Sequence, residues 1–246
     1  MGTSRNCYIA NAVTLQHNTQ TPRCGQRVNR GINMNNASKI ALLAAAALTA
    51  TASANIVENA GFENGSGADA FDWAEIVGGP SGGVERSLAM PNSGDYSAYL
   101  FFDHINNPAA GGAYFIEQNQ PVGSINGGED FNLSFYAKSM STDFIGMDAF
   151  VQILWLDQDG SNGGGVQGET LTSLIGLGLN DSYQQFSLDL TSAVGADSFL
   201  LRFQVSAGAV DNIANGMYVD DVALTPAPGA MALLGLGGLA ATRRRR

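Results

Sequence analysis

The sequence predicts an all-β fold: one sandwich domain that spans residues 55–225. Short runs of alternating apolar and polar residues recur along this span, and Gly, Asn, Asp and Ser turns separate them at intervals typical of a sandwich. Every second residue is apolar in Phe131–Ala137 and in Phe186–Leu190. No segment of ten or more residues in the span has the 3.6-residue period of a helix. The predicted strands are Asn55–Glu58, Phe71–Val77, Tyr96–Phe102, Ala113–Gln118, Phe131–Lys138, Asp148–Leu156, Tyr183–Leu190, Phe199–Ser206 and Met217–Leu224.

The last predicted strand, Met217–Leu224, carries an acidic pair in its middle. Because side chains alternate along a strand, we expect Tyr218, Val222 and Leu224 to share one face. The pair Asp220–Asp221 interrupts this pattern, and strands disfavour Asp. Two carboxylates at such a position need a partner. The domain offers few basic side chains, so a hard cation is the natural candidate.

Charge is distributed very unevenly along the chain. All 22 acidic residues lie between Glu58 and Asp221, where the cations are Arg86, Lys138 and Arg202. The domain therefore carries nineteen net negative charges. Nucleic acid is excluded as a partner, since it requires a basic face. Cations, neutral sugars or an extracellular matrix are compatible with this charge.

Residues 34–54 have the pattern of a secretory signal peptide. Lys39 precedes an uncharged apolar run at 40–48, which is too short to span a membrane. The small residues that follow predict cleavage between Ala54 and Asn55. The chain is therefore expected to be exported.

Residues 1–33 are polar and contain four arginines without apolar periodicity. We interpret them as an over-long start upstream of Met34, with a genuine leader as the alternative. Cys7 and Cys24 both precede the cleavage site, so the mature chain is expected to have no disulfide.

The C-terminal segment 226–246 differs sharply in composition from the domain. An uncharged stretch rich in Gly, Ala and Leu at 229–242 would rise roughly 21 Å as a helix, less than the ~30 Å of a bilayer core. The arginines after it would hold the C-terminus in the cytoplasm. We expect a short hydrophobic helix that enters the membrane transiently, with an ordinary membrane anchor as the alternative.

This tail resembles a PEP-CTERM sorting signal, which an exosortase processes. The usual Pro-Glu-Pro is replaced by a Pro-Ala-Pro variant. The resemblance implies an exosortase as partner and a destination in the cell envelope, at the outer surface or in the extracellular matrix. The residues that carry it are Pro226, Ala227, Pro228, Gly229, Arg243, Arg244, Arg245 and Arg246.

The domain resembles carbohydrate-binding modules with a galactose-binding-like jelly roll, in families 4, 9 and 22 and their relatives. Five segments arrive in the expected order and cover nearly all of 55–225: Asn59–Glu63, Ser93–Ser97, Leu133–Lys138, Tyr183–Phe186 and Tyr218–Val222. The resemblance implies a single jelly-roll sandwich with a structural Ca²⁺ that joins its first and last strands. The implied ligands are Gly61 through its carbonyl, the Glu63 and Asp220 side chains, and groups of Ser93, Asp95 and Tyr96. The alternative is that turn amides or water satisfy these carboxylates, and Asp221 is expected to bond a loop.

Glycan binding would need aromatic faces for the sugar rings and polar groups for their hydroxyls. Tyr114 lies where the resembled modules can carry a stacking aromatic, and Glu117 and Gln118 follow it in the same strand. Tyr99 is a further candidate. Trp73 and Trp155 are more typical of a core.

Catalysis has little support in the sequence. The segment Gly79–Gly83 matches a nucleophile-elbow pattern, but that motif requires a strand-to-helix turn in an α/β sheet. Asp157–Gly160 departs from a calcium-binding EF-hand loop and is interpreted as a hairpin turn. We therefore expect a non-catalytic, calcium-stabilised surface protein with a structural or adhesive role and a capacity for glycan binding. The alternatives are a dedicated carbohydrate-binding module that captures polysaccharide and a small glycoside-active enzyme.

Overall fold

The computed structural model describes residues 54–157 and 165–227, and within these residues the chain contains strands and turns but no helix. The predicted all-β class is confirmed. The strands are β1 (Gly65–Ser66), β2 (Asp69–Ala70), β3 (Ala74–Val77), β4 (Gly82–Ser87), β5 (Ser97–Asp103), β6 (Gly112–Asn119), β7 (Asp130–Ser139), β8 (Met147–Leu156), β9 (Val166–Ser173), β10 (Gln184–Thr191), β11 (Ser198–Ala207) and β12 (Ala214–Pro226).

Two five-stranded antiparallel sheets form the sandwich. One sheet has the order β10-β7-β12-β5-β4, and the other has the order β3-β6-β11-β8-β9. We call them the first and the second sheet. Alternate side chains of each strand point between the sheets, which is why β7 buries every second residue from Phe131 to Ala137. The fully buried core combines aromatic and aliphatic side chains from both sheets, including Phe135, Phe199 and Phe203.

Four strands were not predicted, namely the two-residue strands β1 and β2 and the longer strands β4 and β9, and one predicted strand is absent. β4 begins with Gly82 and Gly83, which looked like a turn. Its glycines are needed because a Cβ on Gly82 would collide with the Phe101 carbonyl and the Tyr114 ring. β9 is an edge strand with little apolar alternation. Residues 55–58 form no strand.

A β-bulge in β12 changes which face its side chains occupy. The pairing of β12 with β7 shifts register between Asp220 and Ala223, and Asp221 adopts a left-handed backbone with φ of 50°. Before the bulge, Tyr218 lies on the outer face; after it, Val222 and Leu224 point into the core. The expectation that Tyr218 shares a face with Val222 and Leu224 is therefore wrong, because one extra residue inverts the alternation.

The beginning of the described domain is joined to its last strand. The Asn55 amide donates to the Val222 carbonyl at 2.9 Å, and its oxygen accepts from the Leu224 backbone N–H at 2.9 Å. The Ile56 N–H also donates to the Leu224 carbonyl, at 3.0 Å.

The signal peptide, most of the sorting segment and the tight turn after Asp157 lie outside the described residues. The strands that flank this turn, β8 and β9, are antiparallel neighbours. At the other boundary, Ala227 still donates its N–H to the Asp130 carbonyl at 2.7 Å. In the part of the chain that the structure describes, no helix is long and apolar enough to cross a membrane.

Candidate functional site

The buried carboxylate of Asp220 holds the loop at residues 92–96. Its Oδ2 accepts backbone N–H groups from Asn92 at 2.8 Å and Ser93 at 3.1 Å, and its Oδ1 accepts the Asp221 N–H at 2.7 Å. The Asp220 side chain is fully shielded from solvent. This carboxylate therefore joins the bulge of β12 to a loop more than 120 residues earlier in the chain.

Asp221 reaches the same loop because the bulge turns it toward the same side. Its Oδ1 accepts from the Ser93 hydroxyl at 2.6 Å, and its Oδ2 accepts from the Asn92 side-chain amide at 2.8 Å. The prediction that Asp221 bonds a loop is confirmed.

Glu63 holds the other end of this loop. Its Oε1 accepts the backbone N–H groups of Asp95 at 2.9 Å and Tyr96 at 3.1 Å. Gly94 lies between the two anchor points with φ of 59°, and a Cβ there would overlap the Glu63 carboxylate. Only glycine fits this position without strain.

The structure brings the predicted calcium ligands together. A Cβ on Gly61 would lie 3.7 Å from Asp220 Oδ1 and 3.8 Å from Glu63 Cγ, so these three residues are neighbours. Ser93 and Tyr96 contact the carboxylates through their backbone N–H groups, which are donors and would not bind a cation.

Burial controls the electrostatics of this cluster. It raises the pKa of Asp220 to about 6, although the N–H groups of Ser93, Asn92 and Asp221 oppose the shift. Arg86 is the cation closest in sequence to the 92–96 loop, but its guanidinium donates to the carbonyls of Phe62 at 2.6 Å and Glu63 at 2.5 Å. Among the described residues, neither the Asp220 nor the Asp221 carboxylate forms an ion pair with a basic side chain.

The donor set suits Ca²⁺, which prefers carboxylate and carbonyl oxygens. Each carboxylate oxygen has two lone pairs, and Glu63 accepts both of its loop hydrogen bonds through Oε1. Within the described ranges, however, no group of three or more His, Cys, Asp or Glu residues is arranged as a metal site. The residue types therefore fit the ion, while amides currently hold the oxygens as in the alternative considered from the sequence.

The predicted sugar-stacking role of Tyr114 is corrected by its position. Its side chain is fully buried, and its ring packs against Gly79, Gly82 and Gly112. A buried ring presents no face to a sugar.

Glu117 and Gln118 point to opposite sides of β6. Glu117 forms an ion pair with Arg202 at 2.5 Å on the outer face of the second sheet. Gln118 is 2% exposed and bonds the backbone of Glu58 and Asp72. Gln118 is therefore structural, and the predicted set of Tyr114, Glu117 and Gln118 does not form one site.

An aromatic row on the outer face of the first sheet was largely missed. We define this row as Tyr99, Phe101 and Tyr218. The Tyr99 ring stacks on Phe101 at 4.6 Å and on Tyr218 at 4.4 Å between ring centroids. Tyr99 and Phe101 are half-buried, and Tyr218 is only 7% exposed beneath its neighbours. Trp73 and Trp155 are core residues as expected. The alternation of residues in β5 would have predicted that Phe101 shares the outer face with Tyr99. The outward position of Tyr218 could not be predicted, because the bulge changes the alternation in β12.

Polar groups flank the aromatic row. Glu85 pairs with Tyr99 in the sheet register, and Lys138 pairs with Tyr218. Burial raises the pKa of both Tyr99 and Tyr218, and the nearby Glu85 charge adds to this effect. The phenols therefore stay neutral and keep their hydroxyl groups as donors.

No family model and no curated protein matches the chain. The enzymatically active domain of tailspike protein 4 from bacteriophage CBA120 is similar with a TM-score of 0.50 and 21% identity, over 70% of this chain and 21% of that one. The CBM22-1 xylan-binding domain of Paenibacillus barcinonensis Xyn10C has a TM-score of 0.46 and 13% identity, over 71% and 96% of the two chains. A CBM4 structure has a TM-score of 0.41 and 18% identity, over 70% and 99%.

These likenesses concern the fold. The chain spans about a fifth of the tailspike domain, and at this identity the match shows a shared β-sandwich architecture. The two carbohydrate-binding modules are covered almost completely. The chain is an all-β, two-sheet sandwich of the jelly-roll type.

Proposed function

We propose that this protein is a non-catalytic glycan-binding sandwich that acts at the cell surface or in the extracellular matrix. The aromatic row of Tyr99, Phe101 and Tyr218 is the observation that carries the proposal. Sugar rings have apolar faces that pack on aromatic side chains, and their hydroxyl groups need polar partners beside the ring. The row with its flanking Glu85 and Lys138 offers both.

The row suits a neutral, extended glycan. Its accessible rings, Tyr99 and Phe101, lie side by side on one strand of a rigid sheet, and Tyr218 supports Tyr99 from the adjacent strand. A rigid surface loses little conformational entropy when a ligand binds. The strongly negative domain would repel acidic polysaccharides, which favours neutral ones.

Adhesion is the biological role that follows from such a surface. A sandwich that is held outside the cell and binds glycan would tether the cell to a matrix or the matrix to itself. The carboxylates of Glu63, Asp220 and Asp221 all accept hydrogen bonds from the loop at residues 92–96. They support the loop and give no indication of an acid–base pair.

Binding to a glycan array tests the proposal. We expect wild-type protein to bind neutral polysaccharide, and we expect Tyr99→Ala and Phe101→Ala each to weaken binding about tenfold or more, as for central aromatic residues of an interface. Phe150→Ala is the matched control, because Phe150 is a half-buried phenylalanine on the outer face of the second sheet. Equal losses for Phe101→Ala and Phe150→Ala, or no binding by wild type, would contradict the proposal.

Calcium stabilisation is a second part of the proposal. Glu63, Asp220 and the Gly61 carbonyl would hold the ion, with further oxygens from the loop at 92–96. The proximity of Gly61, Glu63 and Asp220 and the raised pKa of Asp220 support it, because a cation would relieve the cost of burying that charge. Bound Ca²⁺ would supply structural cross-linking between the first and last parts of the domain.

Export and sorting complete the proposed function. Residues 34–54 would direct export, and an exosortase would process the segment 226–246 while it is held in the membrane. Fractionation of cells that express the full chain or a chain truncated after Thr225 tests this. Loss of surface display on truncation is expected, and unchanged display would contradict the sorting role.

A further inference from the structure

A small cleft opens at one end of the sandwich, where β5 and β7 end and β12 begins. Its volume is about 250 Å³. This corresponds to roughly eight water molecules, too little for an oligosaccharide but enough for a single sugar ring. The lining residues are Ile105, Ser141, Asp143, Asn212, Asn215 and their neighbours Ile145, Ile213 and Ala214.

The cleft combines free polar atoms with apolar walls. Asp143 accepts the Ile145 N–H through its Oδ1 at 3.0 Å, and its side chain is exposed to solvent. The Asn215 amide donates to the Asp143 carbonyl at 2.7 Å, which leaves its second N–H for a ligand. Asn212 is exposed at the rim. A carboxylate and amides that converge on a small cavity suit the hydroxyl groups of a neutral polyol.

The apolar part of the cleft is open to solvent. Ile105 is 61% exposed and Ile145 is 59% exposed. Isoleucines at the mouth of a polar cleft match the mixed character of a pyranose ring, which has hydroxyl groups around its edge and C–H groups on its faces.

The aromatic row leads directly into this cleft. In the register of β5 and β12, Tyr99 pairs with Tyr218, and Phe101 pairs with Gly216. The next outward-facing pair is Asp103 with Ala214, and Ala214 already lines the cleft. Four residues of strand separate Tyr99 from Asp103, a distance of roughly 13 Å.

Asp103 connects the two regions. Its Oδ1 accepts the N–H groups of Ile105 at 3.0 Å and Asn106 at 3.1 Å, so it fixes the turn that forms one wall of the cleft. The Asn106 side chain and these N–H groups lower the pKa of Asp103. The carboxylate therefore remains an acceptor for hydroxyl groups at neutral pH.

We propose that the cleft binds the terminal sugar of a glycan chain whose following residues lie on the aromatic row, so that the protein recognises chain ends. This inference rests on the proposed glycan binding and names the part of the glycan that is recognised, which is the end of the chain. The cleft lies beyond the last outward-facing pair of the row, at the end of the sandwich where β5 ends and β12 begins, so the sheet offers no further surface to a longer chain. This position favours a chain end over an internal segment.

The experiment compares intact and shortened polysaccharide at equal mass. Soluble β-glucan, xylan and galactan are each tested intact and after partial acid hydrolysis, which multiplies the number of ends. We expect the full chain to bind a hydrolysed sample more tightly by about the factor by which ends increase. Borohydride reduction of the hydrolysed sample then distinguishes the two kinds of end, because it alters reducing ends alone.

Variants of the cleft localise the effect. Ala214→Leu fills the cleft, and Asn212→Gly removes an amide while keeping the left-handed backbone at φ 58°. Both are expected to abolish the gain on hydrolysis and to weaken binding to intact chains, which also bind through their ends. Ala223→Leu is the matched control, since Ala223 faces outward near the other end of β12. It should keep the full gain.

The outcomes separate the two proposals. Equal binding of intact and hydrolysed samples, or equal behaviour of Ala214→Leu and Ala223→Leu, overturns end recognition and leaves glycan binding in place. No binding to any polysaccharide by the wild type overturns both. Loss of binding in Tyr99→Ala with an unaltered end preference in Ala214→Leu supports the row alone and overturns the role of the cleft.

Discussion

The buried carboxylate of Asp220 makes the stability of the metal-free domain depend on pH in an unusual direction. Burial raises its pKa in the folded state to about 6, against about 4 in an unfolded chain. A raised carboxyl pKa means that folding favours the protonated form. The stabilising contribution is therefore complete below about pH 4 and is lost as the pH rises through 6.

The size of this effect follows from the shift and from the position of the group. A shift of two units sets a ceiling of about 3 kcal/mol. The loop at residues 92–96 that covers Asp220 is itself partly exposed, so we expect about 1–2 kcal/mol after solvent screening. Other carboxylates also titrate in this range, so the effect must be isolated by a variant.

Asp220→Asn provides the isolating comparison. Urea unfolding of wild type and variant with EDTA present, from pH 4 to pH 6.5, measures the difference between their free energies of unfolding. We expect the stability of wild type relative to the variant to fall by about 1–2 kcal/mol across this range. A constant difference, or one that rises with pH, would refute the assignment of the raised pKa. With excess Ca²⁺ the fall should vanish, because a bound cation stabilises the ionised form.

The remaining predictions concern the loop and its carboxylates. Chelation by EDTA is expected to lower the melting temperature by several degrees, and Asp220→Ala should remove this dependence on metal; a melt indifferent to EDTA would contradict the calcium proposal. Gly94→Ala is expected to cost about 2–3 kcal/mol in urea unfolding, since φ is positive and the new Cβ meets the Glu63 carboxylate. Gly67→Ala is its control, with φ of 62° and no atom within 4 Å, and should cost about 1 kcal/mol. Equal costs at the two glycines would show that the contact with Glu63 is unimportant.

Much of the fold could be predicted because period-two alternation survives wherever a strand has one buried face. Phe131–Ala137 and Phe186–Leu190 lie in adjacent strands with their apolar sides in the core, as predicted. β4 escaped prediction because its first two residues are glycines, which the close approach of Phe101 and Tyr114 requires. That requirement exists only once the sheets are packed.

Only part of the candidate site could be predicted from the sequence, because the rest depends on how the sheets pack. Segments around Glu63, Ser93 and Asp220 were expected to meet, and they do. Their carboxylates accept hydrogen bonds from amide N–H groups in this structure. Residue types alone do not show whether a carboxylate binds amides or a cation. For the sugar surface, Tyr114 was chosen and is buried, whereas Tyr99 and Phe101 are half-buried on the outer face and Tyr99 stacks on the nearly buried Tyr218.

The sequence by itself determined the all-β class and the acidic character of the domain, since these depend on composition and periodicity. The export and sorting signals stay predictions. The tertiary structure decided which face each aromatic side chain occupies. The bulge at Asp220 and Asp221 inserts one residue and inverts the alternation of β12, which sends Tyr218 outward beside Tyr99. The cleft beyond the row likewise exists only because three strand ends, far apart in sequence, meet at one end of the sandwich.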